Sequence, residues 1–165
     1  MKIIHNRFIP FKGFGAINIL GLVFSRMPEK NMSVRTKRHE GTHTYQQYEL
    51  MTISAITSLV LCNIWASWIY LILIPVIPLA IYILSFFIEM AIPPYHNAKE
   101  LFVGKDLLER IKSIRTWVAK VWMDAYGDNC FEREAYMNDG DPLYNSVRSW
   151  CAWWRYIIPP RERLR

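Results

Sequence analysis

The chain has 165 residues, enough for about one domain, with 52% hydrophobic and 15% aromatic residues and a formal net charge of +6. The apolar excess is concentrated in one stretch, which points to a membrane segment rather than a large soluble core. Lys and Arg flank that stretch, as the positive-inside bias of membrane proteins predicts, and no nucleic-acid-binding motif accompanies them, so no nucleic-acid partner is expected.

Residues 1–26 read as a small β-hairpin. Lys2–Pro10 and Ala16–Phe24 are apolar and in places β-branched, and Phe11-Lys12-Gly13-Phe14-Gly15 between them is a turn with two glycines. Residues 1–7 have no uninterrupted apolar run and no small-residue cleavage site, so no cleaved signal peptide is expected. The second strand is too apolar for a free edge. It is expected to be covered, to lie near lipid, or to hold an extended peptide as an added strand.

Residues 33–50 are predicted to be helical, capped by Ser33 or Asn31. This helix carries His39-Glu40-Gly41-Thr42-His43, the pattern H-E-x-x-H. Residues four apart share a helix face, so the two imidazoles stand one turn apart and can share a divalent metal. Glu40 can then reach a metal-bound water as general base, the arrangement of zinc hydrolases. Gly41 leaves room for close packing or for substrate. Gln46 and Gln47 extend the motif's face, either hydrogen-bonding into the site or packing against polar neighbours.

Residues 51–92 hold one ionisable residue, Glu89, and are about twice the ~20 residues that cross a bilayer as a helix. Pro75 and Pro78 are expected to break the run into a transmembrane hairpin, Met51 to about Ile74 and Val76 to about Ile92, ended by Pro93-Pro94. Re-entrant helices are the alternative. Trp65, Trp68 and Tyr70 form an interfacial belt toward the turn. Arg26, Lys30, Arg35, Lys37 and Arg38 precede the run, Lys99, Lys105, Arg110, Lys112 and Arg115 follow it, and the turn is uncharged. Both flanks, the motif and both termini are therefore expected on the cytoplasmic side.

Residues 99–165 form the expected cytosolic part. Lys99 to about Ala125 is an amphipathic helix with apolar residues at helical spacing, lying on the cytosolic leaflet or packed on the core. Trp150–Ile158 is dense in aromatics and reads as an interfacial anchor, followed by Pro159-Pro160 and a basic tail, Arg161–Arg165. The three cysteines, Cys62, Cys130 and Cys151, are odd in number and lack C-x-x-C spacing, so no disulfide framework is expected.

A catalytic metal site needs a third protein ligand. Downstream donors are His96, Asp124, Asp128, Glu132, Glu134, Asp139 and Asp141. Phe131-Glu132-Arg133-Glu134-Ala135-Tyr136 stands out among them. It follows Gly127-Asp128-Asn129, a loop that supplies an N-cap, and its small Ala135 permits close approach to the motif helix.

The H-E-x-x-H motif, Gln46-Gln47 and Glu132–Tyr136 together resemble the gluzincin class of zinc metallopeptidases. The layout is closest to membrane-embedded members such as HtpX and the CAAX prenyl proteases, which carry E-x-x-x-D on a later helix. Ile9-Pro10-Phe11-Lys12-Gly13-Phe14 and the later F-E-R-E-A-Y also resemble a group of small uncharacterised bacterial membrane proteins, over most of the chain. The resemblance implies a mainly α, membrane-associated single domain over 1–165 with a zincin-like HExxH helix, in the bacterial inner membrane. It implies Zn2+ held by His39, His43 and Glu132, with Glu134 as the alternative third ligand. Glu40 is then the general base in hydrolysis of a peptide or membrane-protein substrate at the cytoplasmic face. Tyr136 stands where the class has Asp, and can donate a hydrogen bond but supplies no charge. Tyr136 or His96 is the candidate to stabilise the oxyanion. The competing expectation is a catalytically degenerate metal-binding membrane protein with a scaffold or sensor role.

Overall fold

The computed structural model describes residues 1–6, 8, 9, 15–91 and 106–157. The predicted N-terminal turn, the Pro93-Pro94 break, His96 and the basic tail lie outside the described residues, apart from Ile9 and Gly15.

Three short strands, β1 (Lys2–His5), β2 (Ala16–Ile19) and β3 (Leu22–Ser25), form a sheet in the order β1-β3-β2. This corrects the predicted hairpin. The second expected strand is itself a hairpin, folded at Leu20-Gly21, and β1 pairs parallel with β3 rather than antiparallel across the glycine turn. Both turn residues have positive φ, 52° and 82°, which suits the right-handed twist of a two-residue hairpin. Gly21 is required twice over: a Cβ there would come within 2.5 Å of the Tyr48 ring, so the turn seats directly on the next helix.

That helix, α1 (Val34–Trp65), runs unbroken for 32 residues, about 48 Å at 1.5 Å per residue. Ser33 is its cap and accepts from the Thr36 amide at 3.0 Å. The motif helix and the first apolar span are thus one rod. The chain reverses at Ala66-Ser67, where Ala66 is left-handed, and passes through a short 3-10 turn, Trp68–Ile72, into α2 (Leu73–Ala91). The reversal therefore comes earlier than the prolines predict. Pro75 falls in the first turn of α2, where amides need no helical partner, and only Pro78 interrupts the helix interior. Both α1 and the segment Trp68–Glu89 are long and apolar enough to cross a membrane. Ser54 and Ser58, one turn apart on α1, are fully buried and bond back to Leu50 and Ser54 carbonyls; with no bulk to intervene, they let α2 come close.

α3 (Leu107–Asp128) returns along α2, and α4 (Cys130–Asn138) packs across α1. Only Asn129 separates them, so the predicted Gly127-Asp128-Asn129 loop is shorter than expected: Gly127 and Asp128 belong to α3, and Asn129 caps α4 through its side chain to the Phe131 amide. A one-turn helix, α5 (Tyr144–Val147), and a 3-10 turn, Ala152–Tyr156, complete the described chain. Leu50, Cys130 and Phe131 form the small apolar core, with Ile81, Tyr82, Trp153 and Tyr156 packed on it. All three cysteines are free.

Candidate metal centre

The first half of α1 is buried through polar residues. His39, Glu40, Thr42, His43, Gln46, Gln47 and Glu49 are all buried, an arrangement that needs partners for nearly every atom. α4 supplies most of them. Ala135 is 0% exposed, and its lack of bulk brings α4 onto the motif, as its size predicts.

The two imidazoles meet Nε2 to Nε2 at 3.1 Å. Glu132 closes the triangle, with Oε1 3.3 Å from His43 Nε2 and Oε2 3.3 Å from His39 Nε2. A tetrahedral divalent ion with bonds of ~2.0–2.1 Å sets its donors about 3.3 Å apart. The three side chains thus already stand at coordination spacing, and this group can hold a metal ion. Glu132 Oε2 is buried without a hydrogen-bond partner, a cost of about 1–3 kcal/mol that a cation would remove. Oε1 accepts from the Tyr82 hydroxyl at 2.7 Å, which leaves Oε2 as the free ligand atom. Burial alone would raise the Glu132 carboxyl, but the His43 and His39 imidazoles outweigh it and hold it well below the usual range.

Gln46 prepares His43. Its amide nitrogen donates to Phe131 O at 3.0 Å and Glu134 Oε2 at 2.9 Å, so its oxygen is left to accept from His43 Nδ1 at 2.8 Å. That bond places the ring proton on Nδ1 and leaves Nε2 with its lone pair toward the cluster. Glu134, the alternative ligand, is turned away. It accepts from the Tyr144 hydroxyl at 2.7 Å and pairs with Arg148, whose guanidinium also grips Glu49. Arg133 is equally buried, beside Glu89 at 3.6 Å, and it donates to the carbonyls of Tyr156 and Asp128.

Glu40 lies within electrostatic reach of His43, His39 and Glu132. Its Oε2 is buried with no protein partner, as is Gln47 Oε1 two turns further along the helix. Asn18 of β2 donates to Glu40 O at 3.1 Å and Thr44 Oγ1 at 2.8 Å, which fixes the sheet against the motif turn. Gly41 serves packing: a Cβ there would stand 2.9 Å from Asn145 Nδ2, and that amide is held by bonds to Arg38 O and Thr42 Oγ1.

Tyr136 tilts its ring over His39, centroid to centroid at 4.5 Å, and is 47% exposed. Burial, then the negative charge of Glu132, raises its phenol. Two other tyrosines reach Glu132 and escaped the sequence reading: Tyr82 on α2 and Tyr126 on α3. Burial, then the charge and hydrogen bond of Glu132, hold the Tyr126 phenol protonated far above its ordinary range. The signal for Tyr82 was a polar stripe in the second apolar run. Tyr82, Ser85 and Glu89 recur at i, i+3, i+7 and meet Glu132, Asn129 and Arg133 of the α4 turn in the same order. Of the other downstream donors, Asp139 pairs with Arg35 at 2.7 Å and is not part of the cluster.

The molecule is thus a mainly helical protein with two helices of membrane-crossing length and a buried His-His-Glu group able to hold a metal ion. No protein-family model matches the chain, and no curated protein or solved structure matches it either.

Proposed function

We propose that this protein is a zinc-dependent metallopeptidase of the inner membrane, cutting peptide bonds at the cytoplasmic surface. The observation that carries the reading is Glu40: a buried carboxylate with one oxygen free of protein partners, beside three donors at coordination spacing. A site that only bound metal would have no use for it. His39 Nε2, His43 Nε2 and Glu132 Oε2 are the ligands, and two nitrogens with one carboxylate suit zinc. Zinc held there would polarise a scissile carbonyl and acidify a water molecule.

The chain's own residues supply the rest. Glu40 Oε2 takes a proton from the attacking water and hands it to the leaving amine. Tyr126 lines the cleft and spends its hydroxyl proton on Glu132, so it steadies that ligand. Tyr136, tilted over His39 and lining the cleft, is the residue left to donate to the developing oxyanion; His96 is outside the described residues. Where the gluzincin class has an Asp, this chain orients His43 through Gln46 and Glu134. The membrane reading rests on α1 and α2, on Trp65 and Trp68 exposed at their reversal, and on the Lys and Arg that lie on either side of the apolar run and are missing from the turn.

The test is metal content of the detergent-purified chain, followed by peptidase assay. About one zinc per chain is expected, with binding weakened more than ~100-fold in His43→Ala, beyond the usual loss for an outer partner. Glu40→Gln should keep its zinc and lose ~10²–10⁴-fold in turnover. Wild type without zinc after loading would end the enzyme reading. Zinc retained with Glu40→Gln as active as wild type would leave a metal-binding scaffold. For topology, a cysteine in place of Ser67 should react with an impermeant reagent from the outside, and one in place of Lys37 should not.

A further inference from the structure

Gln46 and Gln47 are neighbours on α1 with opposite fates. Gln46 spends its whole carboxamide inside the protein, on His43, Phe131 O and Glu134. Gln47 is just as deeply buried, 5% exposed, yet its Oε1 has no hydrogen-bond partner. An amide oxygen held out of water without a donor destabilises the fold, and a Leu of similar bulk would carry no such cost. The fold therefore gains nothing from the polar end of Gln47, and that end is open to a ligand.

Gln47 faces a cavity of about 610 Å³ between β2, α1, α2 and α3. Glu40, His43 and Gln47 stand at i, i+3 and i+7 along its α1 wall. The carboxamide is thus one turn, about 6 Å, beyond His43 on the same face of the helix. The other buried polar side chains of that lining are committed. Asn18 donates to Glu40 O and Thr44 Oγ1 and accepts from the Gly21 amide. Tyr82 and Tyr126 bond Glu132, and His43, Glu132 and Glu40 belong to the metal centre. Leu79, Ile83, Phe86 and Phe87 make up the α2 wall around Tyr82.

That setting selects the chemistry of what binds. A charged group would lose its hydration against the α2 wall with nothing to offset the loss. A purely apolar group would leave Oε1 bare. A neutral carboxamide satisfies both constraints, because it donates to Oε1 while accepting from the Gln47 amide nitrogen. An extended chain covers about 6.6–7 Å in two residues, close to the turn that separates Gln47 from His43.

We infer that Gln47 is a specificity-determining residue, reading an Asn or Gln side chain about two residues from the scissile bond. This rests on the peptidase reading above.

The test uses the full chain in detergent micelles and a set of labelled apolar peptides. Each carries a single Asn in place of its isostere Leu, at successive positions along the peptide. Mass spectrometry of the wild-type products should place the cut about two residues from the Asn, moving as the Asn moves. kcat/KM for an Asn peptide should exceed that for the all-Leu peptide at least about tenfold, the scale of discrimination set by one buried group left unpaired. Zinc-loaded Glu40→Gln should bind the Asn peptides tighter by the same factor, read by anisotropy against protein-free micelles. Gln47→Leu should hold one zinc per chain, unfold at the same or a higher temperature, and prefer the all-Leu peptide. Cutting that ignores the Asn, or an Asn preference that survives in Gln47→Leu, overturns the inference and leaves the peptidase reading standing. So does a Gln47→Leu chain that unfolds at a lower temperature and loses its zinc, which would make Gln47 structural. Preferential binding with no cutting of any peptide overturns the peptidase reading and leaves the recognition standing. Neither preference nor cutting overturns both.

Discussion

The two halves of α1 are built for opposite surroundings. From Val34 to Glu49 the helix hides polar groups: His39, Glu40, Thr42, His43, Gln46 and Glu49 are all buried against α4, α5 and the sheet. From Leu50 to Trp65 it does the reverse: Ile56 is 60% exposed, Ile64 65%, and buried Ser54 and Ser58 hold the inward face. In water the second half would be an aggregation hazard and the first a burden of desolvated charge. On the membrane reading each half is ordinary. The apolar half is about 24 Å long at 1.5 Å per residue, a few ångströms short of a ~30 Å hydrocarbon core, with the apolar turn Trp68–Ile72 beyond it, and the polar half builds a site at its surface. One uninterrupted helix makes the site rigid with respect to the membrane.

Variants in the polar half test whether its burial is a connected network. The largest effect is expected at Arg148, whose loss leaves Glu49 and Glu134 buried without their cation. Arg148→Met should destabilise the chain by about 3–5 kcal/mol in denaturant unfolding in detergent. A loss below ~1 kcal/mol would mean the pair is solvated and the network is not holding the site. Gln46→Leu comes next. It removes the bond that sets the His43 tautomer, so zinc affinity should fall about 10–100-fold with little change in fold by circular dichroism. Unchanged affinity would show that His43 needs no partner for Nδ1. The smallest effect belongs to the apolar half. Ile56→Ala should change the unfolding free energy by less than ~0.5 kcal/mol, as for a side chain with no protein around it. A loss of ~2–3 kcal/mol would place that face against protein and remove the contrast between the halves.

Local signals carried well where chemistry is local. H-E-x-x-H is a statement about one helical turn, so the pairing of His39 and His43 could be read from spacing alone. Ser33 as cap, the small size of Ala135 and the membrane-length runs were equally legible. The sheet was not. Its two possible pairings differ only in where the chain turns, and the apolar Leu20-Gly21 corner carries one glycine against two in the stretch before it. Pro75 and Pro78 point to a later reversal between α1 and α2, but a proline in a helix's first turn costs little, whereas Ala66-Ser67 has no sequence marker at all.

The sequence by itself determined the two neighbouring imidazoles, the carboxylate beside them and the apolar length that follows, because each depends on helical periodicity and burial energetics over a few turns. Only the tertiary structure decided that Glu132 faces the imidazoles while Glu134 faces Arg148. The two carboxylates are two residues apart, on different sides of α4, and which side meets α1 is set by the fit of Ala135 and Phe131 against it. The same packing brings Tyr82 and Tyr126 to Glu132 from helices 50 and 6 residues away in sequence, a contact that no local pattern specifies.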